Sequence, residues 1–321
     1  MRLRRRGRFR RLRPLLAVVV LLAVAVAAFS IWLVYGAAHP PRNPFLAKPE
    51  QFASLSARGV KVAEEKWENS DKTEAHGWLL RGEPGRPAVV ILHRYGADRS
   101  WLLNLGVKLN EATNFTVLWP DLRGHGEAAS VKWTSFGGCE TNDTLDAIRY
   151  LRTLKTPQGD SLVGERIGLY GVELGAYVAL MTAANDASVR ALALDSVPAS
   201  SEDALYNVVK SRSAFDLGAL RPLSRLGAKL YFMRCYKNFA SCQAAQTAGN
   251  LPVMLLTGND SPAYRDSTIS LAECFTDRSK VDLQKDLPLT GLNLPASTGE
   301  QSEGYDRRVI DFLAKALNVA K

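Results

Sequence analysis

The stretch 166–175, Arg-Ile-Gly-Leu-Tyr-Gly-Val-Glu-Leu-Gly, decides the fold. Its first seven residues carry one charge and read as a short strand buried on both faces. From Leu174 the pattern changes, and 174–185 reads as a helix. The same alternation extends in both directions. Buried-strand runs rich in Val, Leu and Ile occupy 88–93, 115–120, 189–195 and 252–257, with helical stretches at 101–112, 142–154 and 305–317. An opening pair of strands occupies 60–67 and 75–80, joined through Asp71-Lys72-Thr73-Glu74, which reads as a solvated turn. Strands alternating with helices predict an α/β domain: a mostly parallel sheet flanked by helices, with right-handed crossovers. The segment 200–248 is too long for a simple crossover and predicts a helical cap over the carboxyl edge of the sheet.

With 321 residues, 46% of them hydrophobic, the chain has ample core and is neither disordered nor a disulfide-dense mini-protein. Its net charge of +9 would point to nucleic acid only if spread over a folded surface. It is not spread. Eight arginines lie in the first thirteen residues; removing them from 41 Lys+Arg leaves 33 against 32 Asp+Glu. No nucleic-acid partner is expected. Next, 15–35 runs 21 residues without a charge and ends on Trp32 and Tyr35. As a helix it is roughly 31 Å long, the thickness of a bilayer's hydrocarbon core.

The arrangement predicts a cytoplasmic Arg-rich tail at 1–13 and a transmembrane signal anchor at 14–36, with the remainder extracytoplasmic, on the periplasmic or extracellular side. The membrane is thus an expected partner. Cleavage at Gly36-Ala37-Ala38 is the alternative, disfavoured because the apolar region of a signal peptide spans only ~7–15 residues. A Pro-containing linker at 37–58 leads to the folded domain at 59–321. The four cysteines lack metal-ligand spacing. Cys235 and Cys242 can pair only across a break near Asn238; free, buried thiols are the alternative.

In a parallel sheet, chemistry sits beyond the carboxyl ends of the strands. Three loops lie there: His93-Arg94-Tyr95-Gly96, Asp121-Leu122-Arg123-Gly124-His125-Gly126-Glu127 and Gly171-Val172-Glu173-Leu174-Gly175. Their order and spacing resemble the α/β-hydrolase superfamily, in its branch of membrane-anchored serine hydrolases and aminopeptidase-like proteins. The resemblance spans nearly all of 59–321. It implies an oxyanion loop and pocket at His93, Arg94, Tyr95 and Leu174. It also implies a nucleophile elbow on Gly171, Glu173 and Gly175, a structural loop carrying Asp121, Arg123, Gly124 and His125, and an acid at Asp260. The elbow holds its central residue in a tight strand-to-helix turn at the pocket floor.

The departures from the family pattern carry the functional reading. The elbow residue is Glu173 rather than Ser, Arg94 replaces a glycine, and Ala128 stands where the family has Ser. No His follows His125, and alignment on the final helix puts Thr298 where the base is expected. An acid with no imidazole to orient has no catalytic role. The expectation is a membrane-anchored hydrolase-fold protein that is catalytically degenerate, without cofactor or metal, and with a binding or regulatory role toward an unknown small-molecule or protein ligand. The alternative is an esterase- or peptidase-like hydrolase using Glu173 as a carboxylate nucleophile, with His93 and His125 on neighbouring loops.

Further expectations attach to the same residues. Arg94 and Glu173 should face one pocket, predicting a salt bridge in the former oxyanion site; the alternative turns Arg94 to solvent. Glu173, Asp195 and Asp260 should end three neighbouring strands. Such a cluster suits Ca²⁺, although an Asp capping a turn is the simpler reading. In the cap, Leu226, Leu230, Met233 and Phe232 near Tyr231 and Tyr236 fit either an apolar pocket or ordinary core.

Overall fold

The computed structural model describes residues 5–41, 46, 48–50, 61–127, 129–213, 218–232, 235–296 and 298–318. Most of the linker 37–58, the start of the Arg-rich tail, Ala128 and Met233 lie outside them.

The expected strands form as β1 (Val62–Glu68), β2 (Glu74–Leu80), β3 (Arg86–Leu92), β4 (Thr116–Pro120), β5 (Val163–Val172), β6 (Val189–Asp195) and β7 (Val253–Gly258). An eighth strand that the sequence pattern did not reveal, β8 (Val281–Leu287), completes a single sheet in the order β1-β2-β4-β3-β5-β6-β7-β8. β1 and β2 form an antiparallel hairpin, and β2 runs antiparallel to β4. All remaining neighbours are parallel. β8 escaped notice because it is an edge strand: Asp282, Lys285 and Asp286 interrupt its apolar residues, as suits a strand with one unpaired side.

Helices α2 (Leu103–Thr113), α3 (Gly138–Thr153), α4 (Leu174–Ala183), α8 (Pro262–Leu271) and α9 (Gly299–Leu317) belong to the same unit. They divide the core into two layers. On one face Ile148 and Leu151 of α3, and Ala176, Val178 and Leu180 of α4, pack against Val90, Leu92 and Leu169. On the other, Leu105 and Leu109 of α2, and Val309 and Leu313 of α9, pack against Val89, Ile91 and Trp119. Both faces being covered is why the central strands read as continuous apolar runs. Each such fully buried aliphatic side chain contributes about 1.5–3 kcal/mol.

The chain divides into two compact units. Ala38–Ala204 and Cys235–Lys321 carry the sheet; Met1–Ala37 and Leu205–Arg234 form the other. The described residues of 200–248 give three helices, α5 (Ser201–Arg212), α6 (Leu220–Tyr231) and α7 (Ser241–Thr247). It is not one cap, however. Its middle belongs with the amino-terminal helix α1 (Arg5–Ala38), whereas α7 stays with the sheet and sends Ala244 and Ala245 into its core. Within α1, Pro14–Ala38 is long and apolar enough to cross a membrane.

The cysteine expectation needs correction. Cys139 pairs with Cys235 and Cys242 with Cys274, each at a Cα–Cα distance of 5.2 Å, so Cys235 and Cys242 do not pair with each other and neither is a free thiol. The break near Asn238 exists, but it turns the two cysteines toward different partners. Cys235 lies against the first turn of α3, where Gly138 leaves room for its carbonyl, while Cys242 sits in the first turn of α7.

Candidate functional site

The site is built on the strand-to-helix turn from β5 into α4. Glu173 adopts φ 52° and ψ −111°, a left-handed conformation rare for a residue with a side chain. Two glycines permit it. A Cβ on Gly171 would lie 2.3 Å from the Gly175 carbonyl oxygen, and one on Gly175 2.3 Å from the Leu92 carbonyl oxygen. α4 therefore starts in close backbone contact with the ends of β3 and β5. The Glu173 N–H donates to the Asp195 carbonyl at 2.9 Å, tying the turn to the end of β6.

The Glu173 side chain does not reach out of the turn. It is 4% exposed, with Oε2 accepting the Tyr95 backbone N–H at 2.7 Å and Oε1 accepting the Tyr264 hydroxyl at 2.8 Å. Burial pushes its carboxyl above the ordinary range, while Tyr264, Tyr95, the more distant Arg94 and the Leu174 backbone oppose that rise. An amide on the loop after β3 and the amide following the elbow are the two positions from which this fold aims donors at an oxyanion. Here the first of them, the Tyr95 N–H, donates to the protein's own carboxylate.

Arg94 does not form the expected salt bridge with Glu173. No ion pair between them falls within 4.0 Å, and Arg94 is not turned to solvent either. Its guanidinium lies 4.1 Å from the Trp101 ring centroid, and Nη1 donates to the Tyr95 carbonyl at 3.1 Å. The reason is local: backbone N–H and hydroxyl donors already occupy the carboxylate, and an aromatic face beside Arg94 offers the guanidinium a stacking surface. Trp101 is itself fixed, donating through Nε1 to the Gly291 carbonyl at 2.9 Å.

Asp260 lies beyond β7, where the acid was expected; the loop after β8 engages its Oδ2, while Oδ1 is buried without a hydrogen-bond partner among the described residues. Thr290 donates to Oδ2 from its N–H at 2.9 Å and its hydroxyl at 3.0 Å, and Asn293 Nδ2 adds a third bond at 2.9 Å. The residue facing the acid is thus Thr290. Thr298 lies elsewhere: it is exposed and caps α9, its hydroxyl and the Gln301 side chain exchanging bonds with each other's backbone N–H. A 3-10 turn at Leu294–Ala296 lies between the loop that holds Asp260 and the start of α9.

The two histidines near the site hold loops. His93 Nε2 accepts the Leu122 N–H at 3.0 Å, so its Nδ1–H donates to the Arg94 carbonyl at 2.8 Å. His125 Nε2 accepts the Gly96 N–H at 3.1 Å, and Nδ1 faces the Arg123 carbonyl at 3.0 Å. Burial keeps both neutral, driving His93 well below the usual imidazole range and His125 down to about 4. Tyr95 stacks on Phe136 at 5.7 Å and meets His125 edge-on, fixing the loop that presents its amide.

In the loop after β4, Asp121 accepts the Arg99 N–H at 3.0 Å, and burial raises its carboxyl to about 6. Arg123 clamps Asp143 with two bonds, from Nε at 2.8 Å and Nη2 at 2.6 Å, and reaches Asp71 at 2.7 Å. Asp71 is therefore a structural anion in the hairpin turn and not merely a solvated one. Gly124, at φ 83°, lets the Trp133–Thr134 backbone approach, where a Cβ would be 2.6 Å from the Trp133 carbonyl carbon.

Asp195 does end β6 beside Glu173, but the three carboxylates do not converge. Asp195 is fully buried and is taken by the Ser196 hydroxyl at 2.7 Å, the Gly291 N–H at 2.7 Å and the Tyr305 hydroxyl. Tyr305 is itself bonded to Tyr170 at 2.7 Å. Among the described residues, no group of three His, Cys, Asp or Glu side chains is arranged to hold a metal. Tyr264, Thr290, Asn293 and Tyr305 went unrecognised in the sequence. None lies in a motif, and only the tertiary fold brings them to the strand ends.

No family model matches the chain, and no curated protein matches it by sequence. Solved structures do resemble it. An esterase from Pyrococcus furiosus superposes with a TM-score of 0.64 at 18% identity, over 87% of this chain and all of that one. An acylaminoacyl peptidase from Pyrococcus horikoshii gives 0.57 at 14% identity, over 85% of this chain and 44% of that one. A 2,6-dihydroxy-pseudo-oxynicotine hydrolase gives 0.58 at 14% identity, over 85% of this chain and 73% of that one. Identities this low speak to architecture alone, and the architecture is unambiguous: the chain carries the α/β-hydrolase fold.

Proposed function

We propose that this is a membrane-anchored α/β-hydrolase-fold protein that has lost hydrolysis and retains a binding or regulatory role. One observation carries the reading. The Glu173 carboxylate stands at the elbow and accepts the Tyr95 N–H, so the oxyanion donor on the loop after β3 is satisfied by the protein itself. The surroundings support it. Thr290 and Asn293 occupy Asp260 Oδ2, and no His follows residue 125. A substrate carbonyl would have to displace a buried carboxylate to reach that donor, and would then meet no hydroxyl nucleophile and no base.

The anchor is α1, with the eight arginines on the cytoplasmic side and the sheet unit outside. Two disulfides support that placement, since such bonds persist in oxidising compartments. The competing reading is an esterase- or peptidase-like enzyme working through Glu173, favoured by the activities named for the structural neighbours. Treatment of Glu173→Ser with a fluorophosphonate serine probe separates them. A silent fold missing its base leaves that serine unlabelled; rapid labelling shows that an intact relay survives around the elbow.

A further inference from the structure

The helix α6 has three distinct faces within its own unit. The first packs on α1. Ser30, Val34 and Ala37 of α1 are fully buried, and Gly227 of α6 is the point of closest approach. A Cβ at Gly227 would lie 2.1 Å from the Ser30 carbonyl oxygen and 2.8 Å from Val34 Cγ2, so the helices touch backbone to backbone, as small-residue contacts between membrane helices do. Tyr231 meets Tyr35 edge-on at 6.1 Å. Gly227 beside 30–34 and Tyr231 beside 35 set α6 alongside the last turns of the apolar run that ends at Tyr35, roughly 8 Å of helix.

The second face is apolar and points away from α1. Pro222, Leu226 and Leu230 recur at i, i+4 and i+8; all three are exposed, Leu226 at 38% and Leu230 at 41%. They fill neither a core nor an enclosed pocket, contrary to both sequence expectations for the two leucines. The third face, beside it, repeats the same spacing with Arg221, Arg225 and Lys229, again exposed. Arg234 and Lys237 follow, and no acidic residue occurs anywhere between Asp216 and Asp260. An apolar stripe flanked by a basic stripe is the pattern of a helix lying in a bilayer interface, with apolar residues at the acyl boundary and cations among phosphates.

We propose that α6 is a second membrane-contacting element: its Pro222–Leu226–Leu230 stripe enters the outer leaflet beside the end of α1, and its basic stripe pairs with anionic phospholipid headgroups. The occupant follows from continuity and charge. The stripe lies level with the end of an apolar helix whose own Phe29 and Trp32 are exposed, and the segment is cationic throughout. The inference rests on α1 being a membrane span.

The test uses the full-length protein in vesicles of phosphatidylcholine with and without phosphatidylglycerol. A fluorophore is attached through Leu226→Cys in one sample and Val24→Cys in another, and lipid brominated along the acyl chain serves as quencher. Quenching is expected at both sites, and at 226 it should strengthen when phosphatidylglycerol is present. The joint variant Arg221→Gln, Arg225→Gln, Lys229→Gln should lose that lipid dependence while quenching at 24 persists. Quenching at 24 without any at 226 overturns the second contact and leaves the anchor standing. No quenching at 24 removes the anchor and this inference together.

Discussion

Glu173 and Tyr95, on different loops, are joined by a 2.7 Å hydrogen bond in which the Tyr95 backbone N–H donates to the Glu173 carboxylate. In this fold that amide ordinarily waits for charge to develop on a substrate oxygen. Here the amide has a built-in acceptor, and the bond ties the loop after β3 to the turn from β5 into α4.

The first consequence concerns stability. Glu173→Ala leaves the Tyr95 N–H and the Tyr264 hydroxyl buried without their acceptor, at a cost of about 1–3 kcal/mol. Tyr264→Phe removes only a donor and should cost about 1 kcal/mol. Urea denaturation of the two variants checks the order; equal and negligible losses would show that the carboxylate holds nothing together.

A second prediction concerns the missing base. Thr290, not Thr298, faces Asp260, so Thr290→His is the substitution that reinstates an imidazole at the acid. Glu173→Ser combined with Thr290→His should react with a fluorophosphonate probe faster than Glu173→Ser alone, by roughly 10²-fold or more if base and nucleophile meet. Equal rates would show that position 290 is not where a base can act. Thr298→His should have no effect beyond the cap of α9.

The pH dependence has a definite sign. Burial raises the Asp195 carboxyl to about 6 from an ordinary 3.8, with the Ser196, Tyr305 and Gly291 donors opposing the rise. Between those values the folded state holds a proton that the unfolded state releases, so this group's stabilisation is complete below about 4 and is lost as pH rises through 6. Two units correspond to about 3 kcal/mol. His125, whose folded value is depressed to about 4, acts oppositely over about pH 4 to 6.5, and the depressed His93 acts in the same direction below 6.5. The informative quantity is therefore the difference between wild type and Asp195→Asn. Wild type should lose about 3 kcal/mol relative to the variant from pH 4 to 7, and a flat difference would rule out the shift.

The disulfides are checked chemically. Peptide mapping without reduction should recover Cys139 with Cys235 and Cys242 with Cys274. Replacing Cys242 and Cys274 together by Ala opens a loop with a sequence separation of 32 and should cost about 3–4 kcal/mol. Recovery of a Cys235–Cys242 peptide would contradict the fold of this segment.

Much of this was legible in the chain because it is local. Continuous apolar runs such as 191–194 mark strands covered on both faces, and Gly171 and Gly175 mark the turn. What escaped is what only the fold assembles. β8 carries the mixed pattern of a sheet edge, and Tyr264 reaches Glu173 across 91 residues. Arg94 chose the Trp101 ring over a carboxylate already satisfied, an outcome that charge pairing along the sequence does not reveal. The cysteines paired across 96 and 32 residues instead of 7 for the same reason.

The central claim is that the carboxylate in the oxyanion site silences hydrolysis. It is tested most directly by turnover of the full-length protein on short-chain esters and aminoacyl substrates, wild type beside Glu173→Ala. The account predicts no hydrolysis above the buffer rate in either protein. Turnover by wild type that disappears in Glu173→Ala would contradict it and make Glu173 a catalyst.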